Sequence, residues 1–207
     1  MPQRWTTFFA AVVLVVATTV AGTAQQESTD ELRARAEQGD AEAQGSLGTI
    51  YANGDGVTQD YAEAMRWYRR AADQGDFYAQ HNIGVMYNNG EGVRQDYAEA
   101  RRWYRLSANQ GWPDAYSSLG LMYHHGRGVV QDYVEAHMWF HLAATSPGFS
   151  RDRYYWARER EVVGAKMTAE QIAEAQRRAR EWIEAPRRPY PSFGSGTWGE
   201  FSTSPKH

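Results

Sequence analysis

The amino-acid sequence predicts an all-α solenoid built from helix-turn-helix repeats. A motif of 22 residues occurs three times, beginning at Leu47, Ile83 and Leu119, with a spacing of 36 residues and no gap. In each copy, apolar residues recur every three or four positions on both sides of a glycine-rich loop. This is the pattern of two amphipathic helices joined by a turn, and a fixed period of this length is typical of solenoid proteins.

The first 24 residues are predicted to be a secretory signal peptide. Arg4 supplies a positive charge, an apolar run follows over 8–17, and small residues stand at 22–24. The run is shorter than the ~20 apolar residues that a membrane-spanning helix needs, so cleavage near Gln25 is favoured over an uncleaved anchor. We therefore expect a periplasmic or secreted protein with no stable membrane span after cleavage.

A capping helix and three repeats follow the predicted signal peptide. Residues 25–40 are predicted to form an N-terminal capping helix, because their sequence precedes Gly39 and Asp40 as the second helix of a repeat precedes Gly75 and Asp76. The three repeats are predicted over 41–76, 77–112 and 113–146. Solenoids need such terminal caps, since each inner repeat contacts only its neighbours.

The first helix of each repeat is predicted from one apolar face. In the first copy, Ala43, Leu47, Ile50 and Tyr51 fall on one side of a helix. Gly48 borders that face and recurs in every copy. Because a glycine inside a helix costs ~1 kcal/mol relative to alanine, its recurrence predicts a close approach of two helices.

The second helix of each repeat is predicted from its ends. Glycines after Asn53 break the first helix, and Asp60 with Glu63 matches a capping box at the start of the second. Trp67 lies on its apolar face, and Gly75 is placed to end it in a left-handed conformation.

These units resemble Sel1-like repeats, which are relatives of tetratricopeptide repeats. The family pattern is an early alanine, LG-x-x-Y, G-x-GV, an aspartate and A-x-x-W[YF]-x-x-A, and it is carried by 43–72, 79–108 and 115–144. The resemblance implies a right-handed α-solenoid that acts as a scaffold or adaptor for protein complexes, often in bacterial export, envelope and signalling systems. A cysteine-rich branch of such repeats is associated with penicillin binding or β-lactamase activity. The resemblance fails for that branch, because this chain has no cysteine.

The C-terminal part is predicted to be a helical pair and a tail. Within 147–185, two helices are predicted over 151–163 and 168–183, the second with a capping box at Thr168. Residues 186–207 are rich in proline, glycine and serine, which predicts a disordered tail. Its aromatic residues are either docking anchors or free, and an undocked tail is favoured.

Composition excludes several classes of function. The absence of cysteine removes disulfides, thiolate metal sites and cysteine nucleophiles. A formal charge of −3 and a pI near 6.1 give no nucleic-acid footprint. Residues 25–149 carry a net charge of −7 and residues 150–207 a net charge of +3. Solvation of outer faces is favoured over a partner-steering field as the reason for this asymmetry.

No enzyme signature is present in the sequence. It contains no G-x-S-x-G elbow, no G-x-x-x-x-G-K-[ST] loop and no G-x-G-x-x-G between a strand and a helix. The acidic pair Asp60 and Glu63 has a complete explanation in helix capping. We therefore expect no catalytic residue and no cofactor.

Histidines in the third repeat are the one chemical anomaly. His137 and His141 stand at i and i+4 on the second helix, and His124 and His125 lie in the same repeat. Such a pair can chelate a metal, but it occupies positions predicted to face away from the core, as Met65 does in the first copy. Histidines on a solvated face are the favoured interpretation, and no metal site is predicted.

The predicted binding surface is the side of the first helices opposite the core. Related solenoids line their concave side with first helices, and these positions differ between the three copies. The residues predicted to bind a protein partner are His81, Val85, Asn88, Tyr116, Ser117, Leu121 and His124, with Gln44 and Gln80 flanking them.

The function expected from the sequence is a non-enzymatic interaction scaffold in the bacterial envelope. Two alternatives remain, a hydrolase that acts on peptidoglycan or β-lactams, and a structural component that binds polysaccharide through aromatic residues. The second ranks lower because the repeated tryptophans and tyrosines lie on predicted core faces.

Overall fold

The fold is a row of helices that pack in chain order. The structure, a computed structural model, describes residues 29–146 and 153–186, and these residues form nine helices and no strand. The first helix, α1, covers 29–37. The others are α2 (Ala41–Asn53), α3 (Tyr61–Asp73), α4 (Phe77–Asn89), α5 (Tyr97–Asn109), α6 (Pro113–His125), α7 (Tyr133–Thr145), α8 (Arg153–Gly164) and α9 (Ala169–Glu184). The all-α solenoid predicted from the 36-residue period is confirmed.

Each repeat is a pair of 13-residue helices whose ends are fixed by the loop between them. Gly54 has a φ of +77°, a conformation that glycine adopts without strain, and its N–H donates to the carbonyl of Ile50. At the other end of the loop, the carboxylate of Asp60 accepts the backbone N–H of Glu63 at 3.0 Å. The same two devices recur in the second and third repeats.

The capping box predicted from Asp60 and Glu63 forms only in half, which corrects the sequence interpretation. The backbone N–H of Asp60 donates to the carbonyl of Tyr51 at 2.9 Å, so it does not receive the Glu63 side chain. Glu63 instead pairs with Arg66. The backbone N–H of Asp60 therefore joins the loop to the end of the first helix. The equivalent bond recurs in both other repeats.

The recurring helical glycine marks a close approach of the two helices in a repeat, as predicted. A β-carbon built on Gly84 would lie 2.6 Å from the ring of Tyr104. Because carbon atoms normally meet at about 3.5–4.0 Å, only glycine allows this contact. Equivalent pairs are Gly48 with Tyr68 and Gly120 with Phe140.

Neighbouring repeats are joined by a buried tryptophan and by a polar bond. Trp103 is 5% exposed and packs in a cluster with Ala71 and Ala79, so it bridges the first and second repeats. Nearby, Arg69 Nη2 donates to the Tyr87 hydroxyl at 3.1 Å. Arg33 donates to Tyr51 in the same way one repeat earlier. The first and second repeats are thus each fixed to the preceding unit by the same arginine–tyrosine bond.

The two C-terminal helices cover the end of the third repeat. Trp156 of α8 stacks on Phe140 with ring centroids 5.7 Å apart. In α9, Ala175 and Ala179 are buried, and Arg178 pairs with Glu135 of α7 at 2.9 Å. The capping box predicted at Thr168 is complete.

The ends of the chain and one short segment fall outside the described residues. The predicted signal peptide, the segment 147–152 and the predicted tail beyond Pro186 belong to this group. Within 29–146 and 153–186, no helix has the length and apolar character that crossing a bilayer requires.

Candidate functional site

The predicted binding surface lies largely between repeats. We call the side of α2, α4 and α6 that faces away from their second helices the first-helix face. Of the seven predicted residues, Tyr116 and Ser117 are buried, and the other five are half-buried. Tyr116 and Ser117 therefore do not face solvent, and the role of all seven residues in binding a partner stays a prediction.

Contacts between successive first helices explain this burial. The Tyr78 hydroxyl of α4 lies 2.9 Å from Thr49 Oγ1 of α2. His81 Nε2 lies 3.2 Å from Ser118 Oγ of α6, and its ring packs against Tyr104. Burial lowers the pKa of His81 to about 4, so this ring is neutral at pH 7. A helical wheel shows which residues of a first helix lie opposite its second helix. It does not show that the next repeat buries some of these residues.

In the third repeat, Leu121 and His124 pack against a cluster that α7 and α8 form together. Leu121 packs against the buried cluster of Phe140 and Val163. The His124 ring stacks on His125 with centroids 4.7 Å apart and meets Phe140 edge-on at 6.2 Å. The apolar side chain of Leu121 is thus used within the fold, in the cluster that joins α7 to α8.

An open groove remains between the first two repeats. It lies between α2 and α4, has a volume of about 600 Å³, and we call it the α2–α4 groove. Tyr68, Thr49 and Tyr78 form its polar centre, since Thr49 Oγ1 lies within hydrogen-bonding distance of both tyrosine hydroxyls. Val85 is the only one of the seven predicted residues that lines it. Asn88 lies one turn further along α4 and is half-buried.

Two carboxylates, Asp55 and Glu91, line the groove from the loops after α2 and α4. Burial, and more weakly the neighbouring Tyr78 and Glu91, raise the pKa of Tyr68 to about 12, so its hydroxyl stays protonated at neutral pH. The sequence reasoning missed these loop acids, because it considered helix positions alone. The signal that identifies them is that the first two repeats both carry an acid at this loop position, 36 residues apart.

The two flanking glutamines are structural, which corrects their predicted place beside the binding stripe. Gln44 Nε2 donates to the carbonyl of Ala36, and Gln44 Oε1 accepts from Gln74 at 2.8 Å. Gln80 is fully buried and accepts from Gln110 at 3.0 Å. The bonds between glutamines join the two helices of one repeat, and the bond to Ala36 joins the first repeat to α1.

In the third repeat, Tyr116 replaces this glutamine and begins an aromatic cluster. Its ring stacks on Trp139 at 5.8 Å, and Trp139 meets Trp182 of α9 at 4.8 Å. The Arg105 guanidinium lies 5.0 Å and 5.3 Å from the two indole centroids. A cavity of about 360 Å³ beside this cluster reaches Pro186, the last described residue.

The histidine pair of α7 is not on a solvated face, which corrects the sequence interpretation. His137 is 5% exposed, and its ring lies 3.5 Å from a β-carbon position of Gly164 in α8. Burial, and then the charge of Arg160, lower the pKa of His137 to about 4. His141 Nδ1 lies 3.4 Å from Arg160 Nη1. The buried Met65 at the equivalent position of the first repeat was the signal that this side meets the next helix.

The geometry gives no metal-binding group among the described residues. No cluster of three or more histidine, aspartate or glutamate side chains there is placed to hold an ion. Arg160 also places a positive charge beside the pair of His137 and His141, which opposes a cation.

The three repeats are the part of the chain that matches a known family. A family model described as Sel1 repeat matches 41–76, 77–112 and 113–146. Among solved structures, a protective antigen present in uropathogenic Escherichia coli strains, described as displaying an SLR fold, is 35% identical with a TM-score of 0.70. That match covers 77% of this chain and 33% of the antigen, so this chain spans about a third of the length of the antigen.

A second solved structure is similar to this chain. A Sel1 repeat protein from Oxalobacter formigenes is 34% identical with a TM-score of 0.49, and the match covers 73% of this chain and 96% of that protein. No curated protein matches the chain.

Proposed function

Because the chain belongs to the Sel1 repeat family, whose members generally mediate protein–protein interactions, we propose that it is a non-enzymatic scaffold or adaptor. It binds a protein partner on the first-helix face, which lies on the concave side by analogy with related solenoids. The observation that supports this surface is the open α2–α4 groove, where polar and aromatic side chains stay accessible between two repeats.

The use of the acidic residues supports a non-enzymatic role. The carboxylates of Asp60, Asp96 and Asp132 cap helices by accepting backbone N–H groups. Glu63 and Glu99 pair with arginines one turn along the same helix. These acids serve structure, and general acid–base work on peptidoglycan or β-lactams requires groups free to exchange protons with a substrate.

The proposed place of action is the bacterial cell envelope, either in the periplasm or outside the cell. The support is the sequence of the first 24 residues, with one arginine, a short apolar run and small residues before Gln25. Mass spectrometry of the protein recovered from its native cells measures the N-terminus. We expect it near Gln25, and an intact N-terminus in the membrane fraction contradicts the assignment.

The binding surface is tested by affinity capture from envelope extracts. Val85→Arg fills the α2–α4 groove with a long side chain, and we expect it to reduce partner capture at least about tenfold while helicity is unchanged. Leu121 is not used in this test, because it does not line the α2–α4 groove. The control variant reverses the charge of Arg66 and Arg102, which are exposed on the second helices.

The two outcomes separate the faces of the solenoid. Capture that survives Val85→Arg but is lost in the arginine variant places the interface on the second helices and contradicts the proposal. Hydrolysis of muropeptides or β-lactams by the purified chain contradicts the non-enzymatic role.

A further inference from the structure

We propose that the α2–α4 groove binds an extended segment of a protein partner through an arginine side chain. This inference rests on the proposed function, because it names the chemistry of the partner at the same surface. Charge, hydrogen-bonding capacity and ring placement in the groove each support it.

The charge of the groove is negative and unpaired. Its lining includes Asp55 and Glu91 and no basic residue. Asp55 accepts from the Asn53 amide at 3.0 Å and Glu91 from the Asn89 amide at 3.0 Å, and neither carboxylate has an ion-pair partner within the described part of the chain. A cationic ligand is therefore attracted to the groove without having to displace an existing salt bridge.

The charge pattern is specific to the first two repeats. Position 55 of the first repeat corresponds to position 91 in the second and 127 in the third, and these residues are Asp55, Glu91 and Arg127. Only the groove between the first and second repeats is therefore flanked by two acids. The corresponding place one repeat later has an acid and a base.

The groove offers mostly hydrogen-bond acceptors. The side chains of Asn53, Gln59 and Asn82 donate their amide N–H groups to other protein atoms, to the Asp55 carboxylate, the Ala52 carbonyl and the Tyr78 carbonyl. Their amide oxygens remain as acceptors beside the two carboxylates. Arginine matches this set, because its guanidinium has five N–H donors and no acceptor.

The tyrosines of the groove complete the match. Tyr61 and Tyr78 line it and are half-buried, whereas the ring of Tyr68 is buried against Gly48. A guanidinium is attracted to the face of an aromatic ring. Arginine is therefore preferred to lysine, since its planar group both stacks and forms a fork of hydrogen bonds. An extended backbone is preferred to a helix, because its free N–H groups also find acceptors here.

The first test uses synthetic peptides and the purified chain. The probes are three capped nonapeptides of glycine, serine and proline that differ at two positions, which hold arginine, citrulline or glutamate. Citrulline keeps the shape of arginine and removes its charge. We expect the arginine peptide to shift the NMR side-chain amide signals of Asn53, Gln59 and Asn82, and to bind at least about tenfold more tightly than the citrulline peptide.

Salt and substitutions locate the site. Raising the salt concentration from about 0.05 M to about 0.5 M weakens binding of the arginine peptide, because exposed charges are screened. Glu91→Arg, which copies the third repeat, abolishes binding, and Asp55→Asn weakens it. The control Glu161→Gln with Glu184→Gln removes two exposed carboxylates of α8 and α9 and leaves binding unchanged.

The result that overturns the inference is distinct from failure of the proposed function. Equal binding of the arginine and glutamate peptides, or shifts confined to other residues, overturns the arginine preference. In the capture assay, Val85→Glu and Val85→Arg obstruct the groove with opposite charges. If both variants lose capture equally, the groove binds a partner but does not prefer arginine. If neither variant loses capture, the proposed binding face itself is refuted. A much larger loss with Val85→Arg supports the arginine contact.

Discussion

Replacing Gly84 by alanine tests the packing that sets the distance between the two helices of a repeat. The new β-carbon would lie 2.6 Å from two carbons of the Tyr104 ring and 3.2 Å from the carbonyl oxygen of Ala100. The ring is rigid and buried, and the oxygen belongs to the helix backbone. Neither atom withdraws without moving α5 away from α4.

The expected loss of stability is the balance of two effects. Overpacking a buried contact costs about 1–3 kcal/mol, and the stiff neighbours of Gly84 place this site at the upper end. The substitution also gains about 1 kcal/mol, because alanine favours the helix more than glycine does. We therefore expect a net loss of about 2 kcal/mol, which corresponds to a fall in Tm of about 4–8 °C for a chain of this size.

The chain offers a matched control in Gly45. This glycine lies inside α2, and a β-carbon there would meet its nearest neighbours, in Asp76 and Tyr78, at 3.6 and 3.7 Å. These are ordinary contacts, so Gly45→Ala keeps only the gain in helix propensity and raises Tm by about 2–4 °C. The assay is thermal unfolding followed by circular dichroism at 222 nm.

The opposite signs of the two effects make the test decisive. If Gly84→Ala is as stable as the unmodified chain or more stable, the close contact with Tyr104 is not a constraint on the fold. If both variants lose stability equally, the glycines matter for a reason other than helix separation.

Two further substitutions address the core and its response to pH. Trp103→Ala removes a side chain that bridges two repeats, so we expect a loss of about 3–5 kcal/mol in chemical unfolding, and unchanged stability contradicts its role as a bridge. Burial lowers the pKa of His137 to about 4, from the 6.5 of a solvated imidazole, so at intermediate pH the unfolded chain binds a proton that the folded chain excludes. Stability should therefore fall as the pH decreases from about 6.5 to 4, and His137→Gln should flatten the dependence of Tm on pH in this window; the same slope in both proteins refutes the assignment.

The repeat architecture was predictable because its determinants are local and occur three times. The register of Gly84 and Tyr104, and of Asp60 at the start of α3, is visible as a 36-residue period, and each of these residues acts within its own helix pair. The local rules of helix capping and periodicity therefore predict the position of each helix. They failed at the capping box, where the Tyr51 carbonyl takes the donor that the Glu63 side chain was expected to take.

The candidate site was less predictable, because it depends on contacts between repeats. A helical wheel of one repeat does not show that Leu121 packs into a cluster containing Val163 of α8, or that His137 lies beside Gly164 of α8. It also leaves out loop residues such as Asp55 and Glu91, which reach the groove from outside the helices. Comparison of equivalent positions carries part of this information, since the apolar Met65 already marks the position of His137 as an inter-repeat contact.

The aromatic cluster at Tyr116 has a consequence for how chains of this type change length. The glutamine pair Gln80 and Gln110 lies inside the second repeat, as Gln44 and Gln74 lie inside the first, so an in-frame duplication of 77–112 would keep this polar contact in both copies. A duplication of 113–146 would not, since Tyr116 and Trp139 are fitted to Trp182 of α9. We therefore expect whole repeats to be gained or lost inside the array. The last repeat, 113–146, is expected to stay together with α8 and α9.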